Sequence, residues 1–264
     1  MKEEVLLLKL GGSVLTDKTQ KQTMHMDLLK RIVSEIAKFQ KSSKVKLVVA
    51  HGAGSFGHEV AAKYKTKEGF IHQDSLIGMA DVARVAQEMN SQIIDEFLAQ
   101  QVPAVSISPR SIFTTKNGKL DSISIESIEQ LLEKGGLPVL FGDVIFDSKV
   151  GCTIFSSEKV LQALAVKLSA KYSVKRIIFV TDTDGVYDGK GKTIAEITSR
   201  NIQAISGAIG GARGFDVTGG MKHKVDEALQ MADQGMSSQI INGMVSENVY
   251  KVLMNQEVTG TTIR

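Results

Sequence analysis

The chain has 264 residues, 42% of them hydrophobic, which is enough for one large α/β domain or two closely joined lobes with a buried core. Its 32 basic and 29 acidic residues give a formal net charge of +3, which argues against a dedicated nucleic-acid-binding protein and suits a site for small anions. The single cysteine, Cys152, excludes an internal disulfide and a cysteine-based metal site. We find no secretory signal in MKEEVLLLKL and no stretch near the ~20 apolar residues of a membrane span, so we expect a cytoplasmic protein with no membrane partner.

The first predicted strand, over residues 5–10, ends in a lysine and paired glycines. Lys9 is followed, one residue on, by Gly11-Gly12-Ser13. Glycine has no Cβ and tolerates positive φ, so such a turn can bring backbone N–H groups against an anion. Lys9 lies where its ammonium group can reach the same place. Apolar positions at helical spacing after Met26 predict the helix that closes this first βα unit.

The second predicted strand, over residues 47–50, leads into HGAGSFGH, with glycines at 52, 54 and 57. This spacing is also that of a dinucleotide site, which needs an acidic residue about 20 positions later at the end of another strand. Residues 63–74 contain no such strand, so the pattern favours a phosphate cradle and leaves a dinucleotide oxidoreductase as the weakest alternative. Ser55 is predicted to N-cap the following helix, whose positive end faces the same anion.

The middle of the chain alternates between strand and helix patterns. Apolar spacing predicts a helix over 75–101, a strand over 104–107, a helix over 125–132 and a strand over 138–141. A hairpin is predicted within 142–155, then a helix capped by Ser156 or Ser157, then a strand over 176–180. This alternation predicts an α/β fold with a mainly parallel central sheet covered on both faces. The boundary between two lobes is estimated near residue 173.

Two more turns of interest follow in the last third. TDTDGVY, at 181–187, comes directly after a strand, although an Asp-rich turn alone is often only a turn. DVTGGMK, at 216–222, repeats the arrangement of two glycines and a lysine and opens a helix. Three glycine turns at strand or helix termini, two of them with lysines, indicate phosphate binding rather than packing.

Together these motifs resemble the amino acid kinase superfamily and, within it, the archaeal-type isopentenyl phosphate kinases. The resemblance runs through KLGGSVLTDK, HGAGSFGH, PAVSI, the GD at 142–143, TDTDGVY, DVTGGMK and GTTI. It implies ATP-dependent phosphorylation of isopentenyl phosphate to isopentenyl diphosphate in the alternative mevalonate pathway of isoprenoid biosynthesis. The fold that it implies is a doubly wound three-layer α/β sandwich of the amino acid kinase type, with an acceptor-binding lobe over residues 1–172 and an ATP-binding lobe over residues 173–264. It also implies ATP and Mg²⁺ as cofactors and a homodimer.

The resemblance also implies roles for single residues. Lys9 stabilises the transferring phosphoryl group, Lys18 lies near the γ-phosphate, and Lys222 is the lysine on the nucleotide side. His58 binds the phosphate of the acceptor. Glu158, in SSEK, stands where many relatives have the first aspartate of SGDD, so it keeps the charge with one more methylene.

The remaining predicted site residues fall into two groups. The acceptor group contains the cradle residues Gly52, Ala53, Gly54 and Gly57 and, around an apolar tail, the helix residues Met79, Val82, Ala83 and Ala86. The nucleotide group contains, besides Lys9, Gly54 and Lys222, the turn residues Gly11, Gly12, Ser13, Thr181, Asp182, Asp184, Gly185 and Gly219.

A phosphate acceptor already presents an anionic oxygen as nucleophile, so transfer needs positioning and charge stabilisation rather than a general base. The sequence has no GxxxxGK[ST] motif, which excludes a P-loop kinase, and no paired catalytic carboxylates, which argues against a hydrolase. Two alternatives remain open. One is a sister kinase acting on another small phosphate or phosphonate such as fosfomycin, and the other is a non-catalytic nucleotide sensor or storage protein.

Overall fold

A computed structural model describes residues 2–17, 19–20, 22–188, 190–203, 205 and 220–264, with the backbone alone for residues 221–224. The strands are β1 (Val5–Leu10), β2 (Lys46–His51), β3 (Ala104–Ser106), β4 (Phe113–Lys116), β5 (Lys119–Ile123), β6 (Leu137–Phe141), β7 (Asp143–Asp147), β8 (Gly151–Phe155), β9 (Arg176–Thr181), β10 (Glu196–Ile197), β11 (Ser237–Asn242) and β12 (Gly260–Ile263). The helices are α1 (Gly12–Leu15), α2 (Met26–Ser42), α3 (Gly54–Lys63), α4 (Ser75–Ala99), α5 (Pro109–Ile112), α6 (Glu126–Glu133), α7 (Ser157–Leu168), α8 (Gly220–Ala232) and α9 (Asn248–Leu253), with a short 3₁₀ turn at Thr66–Glu68.

The main sheet has eight strands in the order β10-β12-β11-β9-β1-β2-β6-β3. The six strands from β11 to β3 run parallel, and only β12 lies antiparallel to its neighbour β11. All six residues of β1 are buried, as expected for a strand covered on both faces. The predicted mainly parallel sheet is therefore confirmed.

Helices cover both faces of this sheet. Val5 and Leu7 of β1 pack on one face with side chains of α6, α7 and α8. Leu6, Leu8 and Leu10 pack on the other face with side chains of α2, α4 and α9. Because successive side chains of a strand point to opposite faces, the apolar run of β1 supplies both cores at once. The result is the predicted three-layer sandwich.

A smaller sheet of four strands, in the order β5-β4-β7-β8, lies beside the main one. The β7–β8 pair is the hairpin predicted within 142–155, with Asp143 opposite Phe155. The β4–β5 hairpin and the short helices α1 and α5 were not predicted. No helix in the described part of the chain is both long enough and apolar enough to cross a membrane.

Candidate active site

The two halves of the chain meet between β1 and β9. From β1 the chain adds β2, β6 and β3 on one side, and from β9 it adds β11 and β12 on the other. In open α/β sheets, ligands bind at the carboxyl ends of the strands where the strand order switches in this way. Ser13 Oγ donates a 2.8 Å hydrogen bond to Asp182 Oδ1 across this point. The structure thus joins two turns that the sequence predicted as nucleotide-binding.

A glycine follows the carboxyl end of four strands and adds one more hydrogen bond to the ladder. The bonds run from the N–H groups of Gly11, Gly52, Gly142 and Gly243 to the carbonyl oxygens of Val180, Leu10, His51 and Thr181, with N···O distances of 2.8–3.0 Å. The N–H groups of Gly11 and Gly52 are therefore already used inside the sheet. The role of Gly52 in binding the acceptor stays a prediction, although its N–H is engaged by the Leu10 carbonyl.

The first two glycine turns touch each other through their backbones. A Cβ on Gly12 would lie 2.6 Å from the N and Cα atoms of Gly54, so no larger residue fits there without movement. Gly54 has φ +50, and a Cβ on it would lie 2.3 Å from Oγ1 of Thr16. Thr16 Oγ1 donates to the Gly12 carbonyl at 2.8 Å and accepts the Ser55 N–H at 3.0 Å. Thr16, which the sequence analysis missed, therefore holds the two turns together.

The start of α3 differs from the prediction. Ser55 lies inside the helix, the N-cap position belongs to Ala53, and Thr16 caps the Ser55 N–H in place of a local side chain. The Gly57 N–H donates to the Ala53 carbonyl at 3.3 Å, and a Cβ on Gly57 would lie 2.7 Å from that of Ala53. Gly57 therefore allows tight packing inside the first turn, and its place in the acceptor site stays a prediction.

Four N–H groups in these touching turns remain available. Among the described residues, no acceptor is found for the N–H groups of Gly12, Ser13, Ala53 and Gly54. Unpaired backbone N–H groups in neighbouring turns form the kind of concave donor set that binds anions. The structure thus retains Gly12, Ser13, Ala53 and Gly54 as candidates.

Lys9 lies beneath this donor set as a buried cation. It is 5% exposed, its Nζ lies 2.9 Å from Glu158 Oε1, and its Cε would lie 3.9 Å from a Cβ on Gly52. Glu158 stands in the first turn of α7, where the Ser156 side chain caps the helix by accepting the Lys159 N–H. A buried ammonium group needs such a partner because leaving water is costly. The structure thus brings together Lys9 and Glu158, two of the residues that the resemblance assigns to the catalytic site.

The two histidines of HGAGSFGH lie in different environments. His58 is exposed on α3, about one turn from the helix start, where a ligand can reach it. His51 is 1% exposed at the end of β2, and burial together with the nearby Lys9 charge lowers its pKa to about 4 despite a hydrogen bond to Gly52. His58 is thus the accessible histidine and His51 is a neutral buried one.

The predicted tail residues form a small apolar cluster beside α3. Met79, Val82 and Ala83 of α4 pack with side chains of α3 and of the β7–β8 hairpin, which are Val60, Ala61, Val144, Cys152 and Ile154. Ala86 is buried but lies outside this cluster. The hairpin side chains were missed as lining residues, although their alternation along β7 and β8 signals one inward face.

An ion pair between Arg110 and Asp143 lies next to this cluster. Arg110 Nη2 donates to the Ala83 carbonyl at 2.9 Å, and Arg110 Nε lies 3.3 Å from Asp143 Oδ2. Burial raises the pKa of Asp143 to about 6, and the Arg110 charge opposes that rise without cancelling it. Arg110 and Asp143 thus tie the α4 helix to the first strand of the hairpin.

On the other side of the switch point, the TDTDG turn is held by hydrogen bonds within the turn and to β11. The Thr181 hydroxyl lies within hydrogen-bond distance of the Thr183 carbonyl in the turn and of the Ile241 carbonyl on β11, so it is already engaged. Asp184 accepts a 2.8 Å bond from Asn242 Nδ2, a contact that the sequence analysis missed. Gly185 has φ +131, and a Cβ there would lie 2.4 Å from Thr261 Oγ1. Asp182 is the exposed carboxylate of this turn.

Three predicted residues cannot be placed. Lys18 and Gly219 lie outside the described residues, and Lys222 is described only as backbone in α8. Their roles stay predictions.

Known proteins resemble this chain in sequence and in fold over nearly its whole length. The model of the amino acid kinase family matches residues 4–242. The isopentenyl phosphate kinase of Methanothermobacter thermautotrophicus is 34% identical over 98% of each chain, and that of Methanocaldococcus jannaschii is 36% identical over 97% of each. An X-ray structure of isopentenyl phosphate kinase matches with a TM-score of 0.84 and 31% identity, covering 99% of this chain and 100% of that one. The similarity therefore extends well beyond a single motif.

Proposed function

The chain belongs to the amino acid kinase family, in the branch of the isopentenyl phosphate kinases, and we propose that it transfers the γ-phosphoryl group of ATP to isopentenyl phosphate. The product is isopentenyl diphosphate, and the reaction is a step of the alternative mevalonate pathway. The protein is thus an enzyme, a phosphotransferase whose acceptor is itself a phosphate group.

The observation that carries this proposal is the buried Lys9–Glu158 pair beneath two touching glycine turns. It lies at the carboxyl edge of the sheet beside the topological switch point, where this class of sheet binds ligands. The N–H groups of Gly12, Ser13, Ala53 and Gly54 have no acceptor within the residues that the structure describes. Phosphate oxygens fit this combination of N–H donors and a nearby cation. The donor set therefore suits both ATP and a phosphate acceptor.

Phosphoryl transfer to this acceptor needs no general base. The acceptor already presents an anionic oxygen, so the protein has to hold two anions close together and stabilise charge on the group in transfer. Bound ATP supplies the phosphoryl group, and Mg²⁺ neutralises charge on its phosphate oxygens. Lys9 stabilises the transferred group, and Glu158 fixes where its ammonium lies. By the resemblance, Lys18 would add positive charge near the γ-phosphate, and Lys222 would add it from the nucleotide side.

The two ends of the acceptor are proposed to contact different parts of the amino-terminal lobe. His58 is exposed next to the glycine turns and can donate a hydrogen bond to the acceptor phosphate. The apolar cluster of Met79, Val82 and Ala83 lies against the same helix α3 and would surround the isopentenyl tail. The Ser13–Asp182 bond joins a residue of the proposed acceptor lobe, 1–172, to one of the proposed nucleotide lobe, 173–264. Asp182, Asp184, Gly185 and Gly219 are proposed to bind the nucleotide.

We also propose that the enzyme is a cytoplasmic homodimer. Four large apolar side chains are exposed just before and at the start of α4, namely Phe70 (43%), Ile71 (49%), Leu76 (60%) and Ile77 (63%). Exposed apolar side chains concentrated in this way are typical of an interaction surface. The only cysteine, Cys152, is buried and free, which suits a reducing compartment. A monomer in sedimentation velocity would contradict the dimer.

The experiment that tests the function compares acceptors. Purified protein with ATP and Mg²⁺ is assayed for ADP release with isopentenyl phosphate, dimethylallyl phosphate and fosfomycin. We expect the highest kcat/KM with isopentenyl phosphate and formation of the diphosphate by mass spectrometry. A preference for fosfomycin would support the sister-kinase alternative. ATP binding without turnover of any acceptor would support the sensor alternative.

A further inference from the structure

The buried histidine His51 makes hydrogen bonds through both ring nitrogens. Its Nδ1 lies 3.1 Å from the carbonyl oxygen of Gly52, and its Nε2 lies 3.1 Å from Nδ2 of Asn90. The ring stacks on Phe141 with centroids 5.6 Å apart and planes 25° from parallel. His51 and Asn90 are 1% and 0% exposed, so neither side chain can contact a ligand in solution directly.

These contacts assign the proton on the ring. A carbonyl oxygen only accepts hydrogen bonds, so Nδ1 of His51 must carry a hydrogen and donate it to Gly52. Nε2 is then an acceptor, and the NH₂ group of Asn90 donates to it. Burial and the charge of Lys9 lower the pKa of His51 to about 4, which agrees with a neutral ring. His51 therefore holds its proton in a structural hydrogen bond.

The bond to Gly52 fixes the orientation of the peptide group that follows. The Gly52 N–H is held by the Leu10 carbonyl at 3.0 Å, and the Gly52 carbonyl is held by His51. In a planar trans peptide the C=O of Gly52 and the N–H of Ala53 point in opposite directions. Because the carbonyl points at a side chain in the core, the Ala53 N–H points away from it. Within the described chain this N–H has no acceptor.

We propose that His51 and Asn90 are a positioning pair, which holds the Gly52 carbonyl and thereby aims the Ala53 N–H at a phosphate oxygen of the acceptor. The inference rests on the proposed function only in taking the acceptor to be a phosphate. Asn90 lies on α4, two helical turns after Ala83 on the same face. The pair thus also connects the phosphate end of the site to the helix that carries the tail cluster.

Two replacements of His51 separate the two nitrogens. His51→Asn keeps an N–H donor near the position of Nδ1, whereas His51→Gln places its donor near the position of Nε2. Misplacing a group that positions the substrate can lower the reaction rate by up to about 100-fold. We therefore expect His51→Gln to lower kcat/KM for isopentenyl phosphate by roughly 10- to 100-fold. His51→Asn should recover most of that loss, and both variants should bind ATP like the wild type. Equal losses in both variants, or none in either, would overturn the proposal.

Two further measurements are independent of isopentenyl phosphate turnover. Nitrogen-15 NMR of histidine-labelled wild-type protein should show His51 as the Nδ1–H tautomer with no titration between about pH 5.5 and 8. An Nε2–H tautomer, or a pKa near the ordinary value of about 6.5, would overturn the proposal even if the variants fail to fold. Calorimetry with inorganic phosphate, with the nucleotide site filled by a non-hydrolysable ATP analogue, should show weaker binding in His51→Gln than in His51→Asn. If the wild type fails to phosphorylate isopentenyl phosphate but passes these tests, the proposed substrate is wrong and the positioning role stands.

Discussion

The ammonium group of Lys9 and the carboxylate of Glu158 lie 2.9 Å apart, although more than half of the length of the chain lies between them in the sequence. Their side chains are 6% and 14% exposed, so the pair is largely shielded from water. Removing one partner of a buried pair costs about 3–5 kcal/mol because the other charge is left uncompensated. The longer arm of Glu158, compared with an aspartate, is thus compatible with direct contact to the lysine.

Variants of Glu158 test whether this contact matters for turnover. Glu158→Gln keeps the shape but removes the charge that orients Lys9, and we expect kcat to fall by about 100-fold. Glu158→Asp keeps the charge on a shorter arm and should give an intermediate rate. The control is Glu133→Gln, which breaks the exposed pair with Lys171 and should leave kcat unchanged. Wild-type kcat in Glu158→Gln would remove Glu158 from the mechanism.

Lys9→Ala should nearly abolish turnover. Electrostatic donors to a transition state contribute about 10²- to 10³-fold in rate, and we expect a loss of that size in kcat. Circular dichroism and a thermal melt establish that the variant is folded. Lys171→Ala, which removes the lysine of an exposed ion pair, is the matched control. A folded Lys9→Ala protein with normal kcat would contradict the proposed role.

The strands of the main sheet could be predicted because both of their faces are buried. β1, β2, β6 and β9 therefore read as short continuous apolar runs between turn residues. The β4–β5 hairpin could not be predicted in this way, because β5 is almost entirely exposed. Its turn is held by a distant carboxylate, since Asp147 accepts the N–H groups of Asn117 and Gly118. Such long-range contacts leave no local pattern in the sequence.

The motifs predicted the candidate site residues but not whether the backbone N–H group of each one already has an acceptor. Whether a glycine N–H is available depends on its neighbours, and Gly52 loses its N–H to the adjacent strand. Thr16 belongs to the KLGGSVLTDK motif, but its role was missed because a hydrogen bond to the distant Ser55 leaves no local pattern in the sequence. Asn90 did carry one, since it lies in the buried stripe of α4, and a buried polar group needs a partner. That partner, His51, is 39 residues away in the sequence.

The raised pKa of Asp143 predicts a measurable effect of pH on stability. Its pKa is about 6 in the folded protein against 3.8 as the ordinary value, because burial disfavours the charged form. The folded state therefore binds the proton of Asp143 more tightly than the unfolded state does. This binding adds roughly 2–3 kcal/mol to the free energy of unfolding below about pH 4, and the addition is lost as the pH rises through about 6. Urea unfolding at several pH values should show this fall in the wild type relative to Asp143→Asn. A constant difference between the two proteins would contradict the prediction.

The apolar cluster beside α3 predicts control of acceptor length. Ala83→Leu adds three carbons to this cluster and should displace the end of a long acceptor tail from it. Each methylene group that is no longer buried costs about 0.8 kcal/mol of binding free energy. Longer prenyl phosphates should therefore lose about 10-fold or more in kcat/KM relative to isopentenyl phosphate. The matched control is Ala80→Leu, because Ala80 lies on the same helix but is exposed. Steady-state kinetics with a series of chain lengths checks this. Equal losses for all acceptors would make Ala83 an ordinary core residue.

His58 provides the test most specific to the isopentenyl phosphate branch, because it is the exposed histidine beside the glycine turns. A hydrogen bond to a charged group contributes roughly 1.5–3 kcal/mol, so His58→Ala should lower kcat/KM for isopentenyl phosphate by about 10- to 100-fold. ATP affinity, measured by calorimetry on the same variant, should stay unchanged, since we propose that ATP is bound by the other lobe. His58→Gln and His58→Asn keep an N–H donor and should recover part of the loss. A parallel fall in ATP affinity, or a variant that unfolds, would instead make His58 a structural residue and weaken the assignment of isopentenyl phosphate as acceptor.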